Sequence, residues 1–213
     1  MRDIVIIGAG GLGREVQWLI ERINNINPTW NMLGYLDDNI EKGTIVNGYT
    51  VIGGIDWLKR REEKVSIVCA IGSANLRKEV ISRIKNTNNI EMPNIIDPNV
   101  VISPFVDMGV GNIICASTVL TVNIKIGDFC IINLDCTIGH DDILESYITI
   151  YPSVNVSGNV NIGECSEIGT GTSIIQGVSI ASNTILGAGS TVVKNISASG
   201  LYVGTPAKLI KSF

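Results

Sequence analysis

The sequence predicts two unlike folds in one chain: a small parallel α/β unit over residues 1–90, then a parallel β-helix over 91–213. Three observations carry this reading. Short apolar runs alternate with helical periodicity in the first segment. In the second, apolar residues recur at every sixth position. Finally, aromatic residues are only 5% of the chain while apolar ones reach 45%, so the core must rely on aliphatic side chains, and Ile and Val favour strands.

DIVIIG (3–8) is an apolar run ending in glycine, as a buried parallel strand would. From Leu12 to Asn24, Val16, Leu19, Ile20 and Ile23 recur at helical spacing. NMLGYLDD (31–38) reads as a strand ending in two acids, and IDWLKRREE (55–63) as a short helix. VSIVCAIG (65–72) is another buried strand, and NLRKEVISRIKN (75–86) a helix with Leu76, Val80, Ile81 and Ile84 on one face. The alternation predicts helices on both faces of a parallel sheet.

From Ile96 to Val192, every sixth residue is apolar, seventeen positions in all. Against the 45% background, chance agreement is on the order of one in a million. This period is neither helical nor simple strand alternation; it is the signature of a parallel β-helix built from hexapeptides. One inward residue per hexapeptide stacks on its equivalents in neighbouring coils, so stability is shared along one dimension. Gly or another small residue often follows the apolar one (Gly109, Gly127, Gly139, Ser157, Gly163), and the glycines and asparagines serve corners, where positive φ is otherwise costly.

The formal charge of −4 argues against nucleic acid or an anionic membrane as the main partner. No apolar run reaches about 18 residues and no secretory leader is visible, which predicts a soluble, cytoplasmic protein without stable membrane insertion. Five cysteines without a CxxC pair, beside a single histidine, predict buried reduced thiols and no metal site.

Two stretches suggest chemistry. GAGGLG (8–13) follows a strand and opens a helix, the spacing and context of a phosphate-binding G-x-G-x-x-G turn. Asp37 ends the next strand, where an acid can bond a ribose or base. A dinucleotide such as NAD is the direct reading, and a purely structural turn the bland one. TIGHDDILES (137–146) holds the only histidine, His140, beside Asp141 and Asp142. A lone histidine is more often packing or surface than catalysis, and the acids could be solvated corner residues.

The stretch VNIGECSEIGTGTSIIQGVSIASNTILGAGSTVVKN, followed by VGTPAK, resembles the hexapeptide-repeat acyltransferases. Joined to GAGGLGREV, it resembles the bacterial sugar acetyltransferases of the NeuD/PglD type along nearly the whole chain. That resemblance implies a Rossmann-like domain followed by a left-handed β-helix of 18-residue coils, assembled as a homotrimer. It implies acetyl-CoA as acyl donor, and a nucleotide-linked amino sugar of the 4-amino-dideoxy type as acceptor, for surface polysaccharide or glycan synthesis.

Site residues follow from the same resemblance. His140 would be the general base, Asp141 its orienting acid, and Gly158, one coil on, the backbone donor to the thioester carbonyl oxygen; Gly158 could equally be a corner glycine. Gly10, Gly11, Leu12, Gly13, Asp37, Asp38 and the Gly72–Ser73 turn would hold the nucleotide, with Asn133 facing substrate. Gly169, Gly171, Ala188 and Gly204 would let CoA approach closely, and Lys194 and Lys208 would meet its phosphates. Thr149 stands where some relatives carry a second histidine near the pantetheine. Competing readings are O-acetylation of sialic acid or another sugar, a non-catalytic β-solenoid scaffold or carbohydrate-binding protein, and a nicotinamide-dependent redox enzyme.

Overall fold

The computed structural model describes residues 1–213. Its first part is a six-stranded sheet of β1 (Arg2–Ile7), β2 (Trp30–Leu36), β3 (Ile45–Val46), β4 (Tyr49–Gly53), β5 (Val65–Cys69) and β6 (Ile90–Glu91), with helices α1 (Gly11–Ile26) and α2 (Ala74–Ile84). The spatial order is β3-β4-β2-β1-β5-β6, and only β3 and β4 pair antiparallel. Alternation along β1 feeds two cores. Ile4 and Ile6 pack with Val16, Leu19 and Ile20 of α1; Val5 and Ile7 pack with Val80, Ile81 and Ile84 of α2.

Two local expectations need correction. The segment expected as a helix over 55–63 is a 3₁₀ turn, Ile55–Arg60. On α2, Leu76 is exposed, and Arg77 (1% exposed) takes its place in the buried stripe with Val80, Ile81 and Ile84. Counting back from Ile84 by seven reaches Arg77, so helical geometry itself favours the arginine.

The second part is a triangular prism with left-handed coils. Its three faces are parallel ladders. Face I carries strands starting at Ile95, Ile113, Ile131, Thr149, Glu167, Thr184 and Gly200, capped by the antiparallel strand Lys208–Ser212. Face II starts from Val101 and face III from Asp107, and equivalent residues pair 18 apart, as Ile131 does with Ile113 and Thr149. The every-sixth apolar series points inward and forms one continuous core from Ile114 to Val192.

Corners carry the expected glycines and asparagines at positive φ, but share the role with other residues. From Gly111 to Gly189 every sixth residue has positive φ, including Asp135, Asp141, Phe129 and Tyr147, and most of these are not glycine. The glycines that follow the apolar residues are placed by crowding instead: a Cβ on Gly127 would lie 2.7 Å from the Ser146 nitrogen of the next coil.

Face I is the docking surface for the α/β unit. Its outward residues Ile95, Ile113 and Ile131 are buried with Ile4, Ile6 and α1. Arg22 of α1 grips the buried Asp97 at 2.6 Å. Arg77 donates to the carbonyls of Phe129, Tyr147 and Ile148 on the III–I edge and to those of Ile71 and Gly72 in its own unit. Burial lowers the Arg77 pKa, and the carbonyl dipoles are what hold the desolvated cation.

Candidate active site

His140 sits on the II–III edge, opposite face I. Its corner begins where the strand Thr137–Ile138 ends and turns at Asp141, whose φ of 62° an aspartate tolerates. The side chains of His140 and Asp141 are about half exposed, and Nδ1 lies 2.8 Å from the Asp141 Oδ2. The hydrogen bond to His140, aided by one from Asn123, holds the Asp141 carboxyl below the usual carboxylate range. An ionised partner at Nδ1 favours the tautomer with its proton there, which leaves the Nε2 lone pair free.

The imidazole lies over Gly158. A Cβ built on Gly158 would collide with the ring, so only glycine admits this contact. No protein acceptor takes the Gly158 N–H. A basic nitrogen and an unused N–H thus share one open edge, one coil apart. This arrangement can remove a proton from an attacking group and donate to a developing oxyanion.

Asp142, grouped at first with the solvated acids, is fully buried. It accepts hydrogen bonds from Gly139 N (3.0 Å) and Val160 N (2.8 Å), and burial pushes its carboxyl up to about 7.

The glycine turn opens a second site, in the α/β unit. Gly8, Gly10, Asp37, Asp38, Asn39 and Arg83 line one pocket with Ile55, Ile71, Leu76 and Val80. The first intrahelical bond of α1 runs from Arg14 N to Gly10 O, and no side chain caps the helix. The N–H groups of Gly11, Leu12 and Gly13 therefore form an anion-binding end. Gly13 is also required for packing, since a Cβ there would strike the Gly8 carbonyl oxygen. Asp37 accepts from Ala9 N and Asn39 N, each at 2.9 Å, tying the second strand to the turn. Asp38 accepts from Ile55 N and pairs with Arg83 at 3.1 Å.

Some expected contacts are redirected. Thr149 does not face an open groove: it is 1% exposed on face I, where its hydroxyl donates to Gly72 O at 2.6 Å. It is an outward residue on the face that the α/β unit covers. Gly72 is committed to that junction, while Ser73 stays exposed. Asn133 is 8% exposed and spends its carboxamide oxygen on the Leu134 N–H. Nearby, Glu167 accepts from Ala74 N at the start of α2 and from the Tyr151 hydroxyl, a pair not foreseen from sequence.

The expected CoA residues divide between two edges. Lys194 lies on the last corner of the II–III edge, which is two residues short because Ile180 pairs with Ile196, while Gly169, Gly171, Ala188 and Gly204 lie along the I–II edge. Lys194 and Lys208 line one hollow at the C-terminal end of the prism. All five cysteines are free and buried, and burial pushes Cys69, Cys115 and Cys130 up to about 12. No group of His, Cys, Asp and Glu side chains is gathered to hold a metal ion, and no helix is long and apolar enough to cross a membrane.

This geometry has relatives. Residues 3–84 match the family described as the PglD N-terminal domain. The GDP-perosamine N-acetyltransferase of Escherichia coli O157:H7 is 31% identical over 174 residues, covering 81% of this chain and 78% of that protein. The acetyltransferase domain of PglB from Neisseria gonorrhoeae FA1090 superposes with a TM-score of 0.91 at 30% identity, covering 99% of this chain and all of that one, and has also been solved with acetyl coenzyme A. PerB from Caulobacter crescentus, solved with CoA and GDP-perosamine, gives a TM-score of 0.86 at 30% identity, covering 98% of this chain and 97% of that one. With a Rossmann-like unit docked on a left-handed hexapeptide helix and a lone histidine on its open edge, the chain belongs to the NeuD/PglD-like family of bacterial sugar acetyltransferases, acyltransferases that use acetyl-CoA as co-substrate.

Proposed function

We propose that the protein transfers an acetyl group from acetyl-CoA to the amine of a nucleotide-linked 4-amino-dideoxy sugar, in the cytoplasm, for surface polysaccharide or glycan synthesis. The observation that carries this reading is the His140–Asp141 pair lying over Gly158 on an exposed edge. The uncapped start of α1, beside Asp37, Asp38 and Arg83, supports a nucleotide diphosphate as the handle. Likeness to proteins named for GDP-perosamine supports an amino sugar as acceptor.

In this mechanism the amine attacks the thioester carbonyl and must lose a proton as the C–N bond forms. His140 Nε2 takes that proton, and Asp141 at Nδ1 stabilises the imidazolium; such a base contributes on the order of 10²–10⁴ in rate. The Gly158 N–H meets the carbonyl oxygen as negative charge grows on it, a contact worth roughly 3–4 kcal/mol. The imidazolium can then return the proton to the departing CoA sulfur.

His140 cannot serve the glycine turn of its own chain, because the prism stands between face I and the II–III edge. The CoA residues are divided between two edges in the same way. Both features support a homotrimer, with the II–III edge of one protomer against the I–II edge of its partner. Sedimentation of the active protein should give the mass of three chains; a fully active monomer would overturn the assembly.

The direct test is CoA thiol release from acetyl-CoA with GDP-, UDP- and dTDP-linked 4-amino sugars and with sialic acid. Turnover on one amino sugar, reduced at least a hundredfold in His140→Ala, is expected. Turnover on sialic acid alone would replace the reading with O-acetylation.

A further inference from the structure

The prism has a second inward row, which also repeats every six residues, from Val100 through Thr118, Ile124, Cys136, Ile148 and Val160 to Ser190. Its members are aliphatic side chains, hydroxyls, thiols and one carboxamide, except at Asp142. A carboxylate in that row is desolvated, and an ionised group is the costliest kind to bury.

The row shows what a neutral polar residue achieves in the same place. Asn112 accepts the N–H of its equivalent one coil on, Cys130, at 2.7 Å, and Ser166 accepts that of Thr184 at 3.3 Å. Asp142 does the same for Val160 at 2.8 Å. What sets Asp142 apart is its second oxygen, which takes the Gly139 N–H at 3.0 Å. At the corresponding corners of face III, Gly127 and Gly163 give this N–H to the next coil, to Leu144 O and Ile180 O. Gly139 is the residue before His140, and Val160 follows Gly158 by two. One carboxylate therefore joins the peptide entering the histidine to the turn leaving the glycine beneath it.

We propose that Asp142 is a positioning residue for acetyl transfer, its two oxygens fixing the His140 corner against the Gly158 corner so that Nε2 and the Gly158 N–H address the same carbonyl. This rests on the reading of His140 as the base. An asparagine would keep the bond to Val160 but turn its NH₂ toward the Gly139 N–H, donor against donor. Coil closure alone would be met by such a residue, as it is at Asn112.

The ionisable groups facing Asp142 are His140 and Asp141 of its own corner. The stacked corners 121–124 and 157–160 carry none, and burial pushes the Cys136 thiol of the same coil up to about 11. Protonation of Asp142 therefore adds a step to the acid limb of kcat in the native protein.

The test compares native protein, Asp142→Asn and His140→Ala in the full-length assembly, reading kcat, both KM values, the pH profile and the melting temperature. Asp142→Asn should lose about tenfold to a hundredfold in kcat with both KM values within twofold, and its acid limb should lose the step that Asp142 adds. Native kcat and an unchanged acid limb in Asp142→Asn, with His140→Ala inactive, would overturn the proposal and leave the base standing. Native turnover in His140→Ala would instead remove the base, and with it this role. If Asp142→Asn does not fold, Asp142→Val carries the same test, since it continues the aliphatic members Ile124 and Val160 on either side.

Discussion

Face I and the II–III edge are built from the same six-residue repeat, yet they do opposite things. On face I the outward residues Ile95, Ile113, Ile131, Thr149 and Glu167 meet the α/β unit, and the first four are buried. On face II the equivalents Thr137, Asn155 and Ser173 are exposed. Inward residues record only that a coil closes; outward residues record what covers it. The covered face should govern stability without touching the chemistry, and the open edge should govern chemistry with little effect on stability.

Five substitutions press on that division. His140→Ala should have the largest effect, a loss of 10²–10⁴ in kcat, with the melting temperature within a few degrees because the side chain is half exposed. A comparable drop in melting temperature would erase the distinction. Arg77→Met should come next: five carbonyl contacts go, and urea denaturation should show about 3–5 kcal/mol of lost stability.

Asp142 is the exception on the open edge, and it links stability to pH. Its folded carboxyl is pushed up to about 7 from an ordinary value of 3.8. The unfolded chain releases that proton first, so this group's contribution is complete below pH 3.8 and drains away as pH rises through about 7. Native protein should lose on the order of 4 kcal/mol over that window relative to Asp142→Val, as read by denaturation at stepped pH. Parallel curves would mean that the carboxyl is not held neutral by burial.

Smaller effects sharpen the contrast. Thr149→Val should cost about 1 kcal/mol through the lost bond to Gly72 O and leave the KM for acetyl-CoA unchanged. A raised KM would return Thr149 to the cofactor groove. Ser173→Ala, exposed on face II, should stay within about 0.5 kcal/mol in the same denaturation assay.

What could be read in advance follows the same division. The every-sixth series located the prism core because each inward residue answers to its own coil. The doubled pairs Ile113–Ile114 and Ile131–Ile132 lie on strands buried on both sides, a signal that the every-sixth reading did not use. Thr149 carries no such signal, because its partner Gly72 lies 77 positions away across the junction, while Asn133 turns its carboxamide oxygen to the adjacent Leu134 N–H, a local bond that the six-residue period does not mark. Arg77 and Asp142 were legible in principle. Each breaks an apolar series at a position that the helical or six-residue period marks as inward. His140 stood out by being single, but its relation to Gly158 needed the 18-residue coil.

That coil also fixes a length. His140 and Gly158 fall on one column, and Lys194, two residues past Val192, lies on the last corner of the same edge, three coils beyond the histidine. Neighbouring strands in a ladder lie about 4.8 Å apart, so three coils span about 14 Å. The edge is graduated like a ruler, and its units are whole coils. On the proposed reading, with the donor's phosphates at Lys194 and its thioester at His140, the donor's arm must bridge three divisions. Removing one division, residues 159–176, would leave every ladder able to close again while moving the two ends about 4.8 Å closer. Reach, not recognition, would then decide which acyl donors this edge accepts.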